Sequence, residues 1–352
     1  MLKNLIVAGL AIGSLSACSS NNVKVIDAGK QPVRSDSQRF TNLYTGEKQY
    51  PVSCESDCYE SISELTCSDE RCTYTGPYAQ ANYVNDFVVQ WLGHAQFSIV
   101  TPSGERWLTD PVFKEFDWPI NWLHAMFNGD YRENYPDIDS AEPDAVDGVL
   151  YSHIHYDHFN KADIEQLGNS ISYYVPRNVA GHFPEIGADV FEMGWFSQST
   201  EGETTINAVP AHHFSSRTFI PFIYDDSNRA SWNGWLLKSE GKTLFFAGDT
   251  GYSEHFKDIH EQSGDIDVCL LPIASYHSEE SPEWYRYVHM TPEDAISAAQ
   301  DLHCKTVIPW GYGKASWGMG DKSSHAPLLR FLTMVKRMDT DFEIVVLKEH
   351  SD

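Results

Sequence analysis

Positive charge is scarce in this chain. Lys and Arg number 25 against 50 Asp and Glu, which leaves a formal net charge of −25. A surface that acidic repels nucleic-acid phosphate and argues against sequence-independent binding to DNA or RNA. A phosphorylated substrate meets the same repulsion, unless bound metal ions reverse the sign at the site. Long hydrophobic runs are also missing: past the first residues, no apolar stretch is long enough to span a bilayer. The chain has no CxxC pair, which argues against a structural zinc knot. It shows no internal repeat and no low-complexity tract. What remains is an ordinary globular composition, 41% hydrophobic and 13% aromatic, in a chain long enough to bury a large core.

The N-terminus reads as an address. Met1-Leu2-Lys3 gives a short positive start, Leu5 to Leu10 begin an apolar run, and small residues continue to Cys18. The end of this stretch, Leu15-Ser16-Ala17-Cys18, resembles the lipobox of bacterial lipoproteins, in which the cysteine becomes the lipidated first residue after cleavage. Ser19 resembles the outer-membrane sorting class. The expected location is therefore the bacterial cell envelope, with the protein an outer-membrane lipoprotein facing the periplasm. Cysteine use agrees with export. Cys54, Cys58, Cys67 and Cys72 crowd into one short segment and read as two disulfides of undetermined pairing. Cys269 and Cys304 lie in apolar runs and read as buried thiols.

Three regions follow. Residues 1–18 are the lipoprotein signal peptide, 19–80 a polar tether and cysteine-rich segment, and 81–352 the folded domain. Within the domain, Phe87–Trp91, Phe97–Thr101, Trp107–Thr109, Val146–Tyr151, Ile171–Val175 and Thr205–Val209 read as strands. Trp232–Leu237 and Thr243–Ala247 flank the hairpin-like turn Glu240-Gly241. Thr291-Pro292-Glu293-Asp294 is a helix start with a threonine cap, proline in the first turn and acids beside them. A second helix, Ala326–Met338, precedes a strand over Phe342–Leu347. This alternation predicts an α/β fold with sheets packed together and helices outside.

The strongest chemical signal is Ser152-His153-Ile154-His155-Tyr156-Asp157-His158, directly after a buried-type strand. Three imidazoles and a carboxylate so close together are a poor packing choice, since each needs a polar partner if buried. In a loop, His153 and His155 can face one way while Asp157 and His158 turn the other, which suits two neighbouring metal ions. Such ligands favour zinc, with iron or manganese as alternatives. Further donors appear at later strand ends: His213 in Pro210-Ala211-His212-His213-Phe214, and Asp249 in Phe245-Phe246-Ala247-Gly248-Asp249-Thr250-Gly251.

An HxHxDH string, a later histidine and then an aspartate after a strand resemble the metallo-β-lactamase superfamily. The likeness narrows with Trp91-Leu92-Gly93-His94-Ala95, Leu108-Thr109-Asp110-Pro111, Phe245 to Tyr252 and His289-Met290-Thr291-Pro292-Glu293. In order, these motifs resemble the N-acyl-phosphatidylethanolamine-hydrolysing phospholipase D branch over roughly Phe87 to Gly318. The resemblance implies an αββα sandwich with the metal site at one edge of two packed sheets. It assigns His153, His155 and His213 to a first metal, Asp157 and His158 to a second, and Asp249 to both. Asp110 and His94 would orient ligands, and His289 would lie near the substrate, joining Asp157 and Asp249 as a catalytic residue. One position departs from the pattern: Val307-Ile308-Pro309-Trp310-Gly311 places Pro309 where the family supplies a last histidine. His277, His289, His303 and His325 are the available replacements.

The function these readings imply is metal-assisted hydrolysis, with one or two zinc ions activating a water near neutral pH for attack. The implied substrate is N-acyl-phosphatidylethanolamine or a related envelope lipid, reached by a membrane-anchored enzyme. Trp118, Trp122, Leu123, Phe127, Trp195, Phe219 and Phe222 are candidates to line an acyl groove. A lactonase or other ester hydrolase of the same fold is the alternative within the family. An envelope lipoprotein with a degenerate metal site is the alternative outside enzymes.

Overall fold

Val149 and Leu150 are neighbours in one short strand and point to opposite faces, yet both are fully buried. Each face must therefore be covered, and in this computed structural model each is. The structure describes residues 20–28, 33–34, 38–46, 62–68, 71–75, 83–113, 116–117, 120, 122, 138–220, 224–277, 282–313 and 326–349.

One sheet has eight strands: β1 (Asn22–Ile26), β2 (Tyr83–Val84), β3 (Phe87–Gly93), β4 (Gln96–Val100), β5 (Arg106–Thr109), β6 (Gly148–Leu150), β7 (Ser172–Pro176) and β8 (Asp189–Met193). Their spatial order is β1-β8-β7-β6-β5-β4-β3-β2, with β1, β8, β7, β6 and β5 mutually parallel. The other sheet has seven: β9 (Gln198–Glu201), β10 (Thr204–Val209), β11 (Gly234–Ser239), β12 (Lys242–Phe246), β13 (Ile266–Pro272), β14 (Cys304–Trp310) and β15 (Glu343–Ile344). They lie in sequence order, antiparallel as far as β12 and parallel from there on.

The main core fills the space between the sheets, where Phe87, Val89, Trp91, Phe97 and Leu150 meet Ile206, Ala208, Leu236 and Phe245. A second core covers the outer face of the first sheet. There α1 (Lys161–Leu167) packs Ile164 and Leu167 with Val149, Tyr173 and Val175. On the second sheet lie α2 (His255–Ser263), α4 (Pro292–Asp301) and α5 (Ala326–Arg337), while α3 (Pro282–Val288) ends against His212 and His213. Thr291 caps α4 as its sequence predicts. Its side chain accepts from Asp294 N, and the Asp294 carboxylate accepts from Thr291 N in return. Ala295, Ile296, Ala299 and Leu302 on α4 enter the main core. The fold is the αββα sandwich.

Two expectations are corrected. The tether assigned to 19–80 is partly built into the domain. Asn22–Ile26 pairs in parallel with β8, and Leu65 sits in the main core. Val23 and Val25 alternate with Asn22 and Lys24, but the run is short and its side chains are exposed, so no buried face ties it to the domain. Cys269 and Cys304 are not free thiols: they form a disulfide between the adjacent strands β13 and β14, with Cα atoms 6.0 Å apart. Of the other four cysteines, Cys67 and Cys72 face each other in the register of a small hairpin. Cys54, Cys58 and the disulfide pairing fall outside the described residues.

Candidate metal centre

The parallel strands all run toward one edge of the sandwich, and the chemistry-bearing residues follow their C-terminal ends. Asp110 follows β5, Ser152 to His158 follow β6, His213 follows β10, Asp249 follows β12, and His289 precedes α4. The loop after β6 is braced by a residue that motif reading passes over. Arg217, almost wholly buried, donates to Ile154 O at 3.2 Å and Phe159 O at 2.7 Å, and pairs with Asp117 at 2.7 Å. Asp117 in turn accepts from Lys161 N at the start of α1.

His153, His155 and His213 present three ring nitrogens to one point. Nδ1 of His155 lies 2.6 Å from Nε2 of His153 and 3.3 Å from Nε2 of His213. The tautomers of two rings follow from their outer contacts. His213 donates from Nδ1 to Val288 O at 2.9 Å, which leaves Nε2 bare toward the centre. Ser152 Oγ donates to Asp110 Oδ2 at 2.5 Å, so it must accept from His153 Nδ1 at 2.9 Å, and His153 Nε2 is bare as well. Burial pushes the His155 imidazole down to about 4, and those of His153 and His213 well below the usual range. Neutral imidazoles with converging lone pairs are what a cation requires.

The second cluster is built on His158. Its Nδ1 donates to Asp110 Oδ2 at 2.7 Å. Among the described residues its buried Nε2 has no hydrogen-bond partner, although Asp249 Oδ2 lies 3.2 Å away and Asp157 Oδ2 3.6 Å away. Burial alone would lower the His158 imidazole, but Asp249, Asp157 and Asp110 together raise it. Burial would raise the carboxyls of Asp157 and Asp249, and His158 beside them reverses this, holding both well below the usual range. Two ionised carboxylates crowded on one imidazole form a seat for positive charge. His94 Nε2 lies 3.1 Å from Asp157 Oδ2, and His289 Nε2 lies 3.3 Å from Asp249 Oδ2.

The donor set therefore fits metal ions. His153, His155 and His213 would hold one, and Asp157 and His158 the other, with Asp249 reaching both. Every ligand named from the sequence meets here, with Asp110 and His94 in contact as orienting groups. Of the proposed replacements for the family histidine, His289 is at the centre. His303 is at the far end of the second sheet in an exposed group with His260 and Asp265, and His325 is outside the described residues. His277 joins no metal-ligand cluster among the described residues. His94, read only as an orienting group, has its ligand atom within 4.8 Å of those of Asp157 and His158, and so is a further replacement. Pro309 is buried near the end of β14.

Sequence reasoning missed two more residues. Asn42 clasps the backbone of His213, accepting from its N–H at 3.1 Å and donating to its carbonyl at 2.9 Å. Neither Asn42 nor Arg217 lies in a motif, so nothing local marks them. Trp195 is fully buried with Phe40, Ala211 and Trp232 and belongs to the core, not a groove. Trp122 is exposed, while Trp118, Leu123, Phe127, Phe222 and the side chain of Phe219 are outside the described residues.

The family model for the beta-lactamase superfamily domain matches residues 105–312. The chain belongs to the metallo-β-lactamase superfamily. It is 31% identical to an uncharacterised protein of Mycobacterium tuberculosis over 219 residues, covering 61% of this chain and 54% of that one. It therefore spans about half the length of that relative. It is 30% identical over 238 residues to N-acyl-phosphatidylethanolamine-hydrolyzing phospholipase D 1 of Caenorhabditis elegans, covering 63% of each chain. The fold is similar to that of isothiocyanate hydrolase from Delia radicum gut bacteria. There the TM-score is 0.52 at 16% identity, over 74% of this chain and 96% of that one.

Proposed function

We propose that this protein is a metal-dependent hydrolase of the bacterial cell envelope, a phospholipase D-like phosphodiesterase acting on N-acyl-phosphatidylethanolamine or a related lipid. The convergence of His153, His155, His213, Asp157, His158 and Asp249 on one strand-end edge carries the hydrolase reading. The nematode relative supports the substrate class. Zinc is the proposed metal, in one or two ions, with iron or manganese as alternatives. A bound divalent ion supplies Lewis acidity and makes a nearby water acidic near neutral pH.

The chain's own residues supply the rest. Asp249 and Asp157, both ionised, orient the attacking water, and Asp249, or Asp157 nearby, receives its proton. His289, whose Nε2 lies 3.3 Å from Asp249 Oδ2, returns a proton to the departing alcohol. Water oxygen bonds to phosphorus, the bond to the N-acylethanolamine oxygen breaks, and phosphatidic acid is left.

Envelope location is part of the proposal. The Cys18 lipobox supplies the lipid anchor, and the Cys269–Cys304 disulfide suits an oxidising compartment. Among the described residues, no helix is long and apolar enough to cross a membrane.

The test is hydrolysis of N-acyl-phosphatidylethanolamine in mixed micelles by protein lacking residues 1–18, with products identified by mass spectrometry. Release of phosphatidic acid and N-acylethanolamine, abolished by chelator and by His155→Ala, is expected. Metal-loaded protein without turnover would redirect the assignment to lactones and other esters. Protein that takes up no metal would sink the enzyme reading altogether.

A further inference from the structure

Asn21 is fastened to the body of the domain by an unusual number of bonds. Its Oδ1 accepts from the amides of Ile186, Gly187 and Ala188 at 3.3, 3.1 and 3.1 Å. Its Nδ2 donates to Pro184 O at 2.9 Å, and its N–H to Glu185 Oε2 at 3.1 Å. Strand β1 starts at the next residue, with Asn22 level with Asp189, Ser172 and Gly148 in the parallel ladder. All of these lie at the N-terminal ends of their strands. The metal cluster follows the C-terminal ends, and Asp27, just past β1, pairs at 2.7 Å with Arg177, just past β7. Strand β1 rises about 13 Å from Asn22 to Ile26 at a parallel-strand rise of ~3.3 Å per residue, and that height separates the Asn21 end from the edge that bears the cluster.

Cys18 is only three residues before Asn21. Fully extended, three residues reach about 10 Å. The cluster end can face the anchoring bilayer only if Asn21 stands farther from that bilayer than the whole height of the strands, which this reach does not allow. Of the exposed apolar side chains on β1, Val23 lies beside the anchor end and Val25 farther along the edge strand.

We infer that the lipid on Cys18 holds the domain against its own bilayer by the Asn21 and Pro184–Ala188 end, with the metal cluster facing away. The enzyme then takes its substrate from the aqueous side or from a facing membrane, not from the leaflet that anchors it. This rests on the lipoprotein reading above, but not on turnover.

The test uses the full-length lipidated protein in vesicles, its lipid first confirmed by intact mass. Ser170, exposed at the anchor end, and Arg229, exposed at the cluster end, are replaced in turn by a fluorescent amino acid. A quencher is carried in the bilayer. Quenching at least threefold stronger at position 170 than at 229 is expected. It should largely disappear when twenty Gly/Ser residues are inserted between Ser20 and Asn21. Equal or stronger quenching at 229, or no response to the insertion, overturns the orientation. Absence of lipid on Cys18 is seen at the mass step, before any fluorescence, and removes the lipoprotein reading together with this inference.

Discussion

Oδ2 of Asp110 lies 2.7 Å from Nδ1 of His158, and neither side chain is exposed. The same carboxylate accepts from Ser152 N at 2.6 Å and from Ser152 Oγ, and through Ser152 it sets the tautomer of His153. One buried carboxylate thus orients one imidazole in each cluster. Asp110 also holds φ at 38°, a strained value for a residue before proline.

Asp110→Asn keeps the shape but removes the charge and one acceptor. Metal affinity is expected to fall about 10- to 100-fold, as for loss of other outer partners of metal ligands. Calorimetric titration of zinc into the metal-free variant measures this. Unchanged affinity would show that Ser152 and His158 are placed without Asp110.

Arg217→Lys tests the brace on the histidine loop. A single ammonium cannot reproduce the planar fork that reaches Ile154 O, Phe159 O and Asp117 together. The variant should lose about 1–3 kcal/mol of stability. Amide exchange over residues 153–159 should quicken while that of β13 stays slow. Uniform exchange changes would contradict a local brace.

Much of this arrangement was legible in the sequence because it is local. The buried strand before Ser152, the HxHxDH string, and the Thr291-Pro292 helix start each carry their signal within a few residues. What escaped is non-local. The edge strand Asn22–Ile26 is recognisable only from its partner 167 residues away, and Asn42 only from His213. His94 joins the second cluster through chain folding alone. Cys269 and Cys304 looked like core thiols because their neighbours are apolar. Their pairing depends on the adjacency of two parallel strands.

The shifted histidines make the metal-free protein sensitive to acid. Burial holds the His153 and His213 imidazoles well below their usual range and His155 at about 4. The unfolded chain binds these protons near pH 6.5, so their contribution is intact above that value and is lost as pH falls toward 4. His158 runs the other way. Asp249, Asp157 and Asp110 outweigh burial and raise it, so its contribution is complete below about pH 6.5 and lost as pH rises through its folded value. Chelated protein should drop on the order of 5 °C in Tm between pH 6.5 and 4.5. Saturating zinc at pH 6.5 should raise Tm. A flat acid limb would contradict the burial of these rings.

Reduction of Cys269–Cys304 removes a link across 35 residues between the adjacent strands β13 and β14 of the second sheet. A loop of that length gives a loss of about 2–4 kcal/mol. Denaturant midpoints of the oxidised protein and of a Cys269→Ala/Cys304→Ala variant measure it. Equal midpoints would show that the link adds nothing to the packing of β13 on β14.

Gly248→Ala probes how closely the two metal-bearing loops approach. Gly248 has φ of +60°, and a Cβ there would lie 2.6 Å from Ser152 Cβ and 3.1 Å from Asn233 O. Neither neighbour can yield, since Ser152 N is held by Asp110 and Asn233 N donates to Ser152 O at 2.9 Å. Left-handed backbone adds about 1 kcal/mol for any residue with a Cβ, and the overlap typically 1–3 kcal/mol more. The displaced atoms are those that place His153 on one side and Asp249 on the other. Stability should therefore fall by about 2–4 kcal/mol and zinc affinity should fall with it. Gly241→Ala is the control: it has a positive φ of 77° but, among the described residues, no atom within 4 Å of the added Cβ. It should cost only the backbone share and leave zinc affinity unchanged. If both variants bind zinc like the parent, the approach of Gly248 to Ser152 does not set the spacing of the ligands.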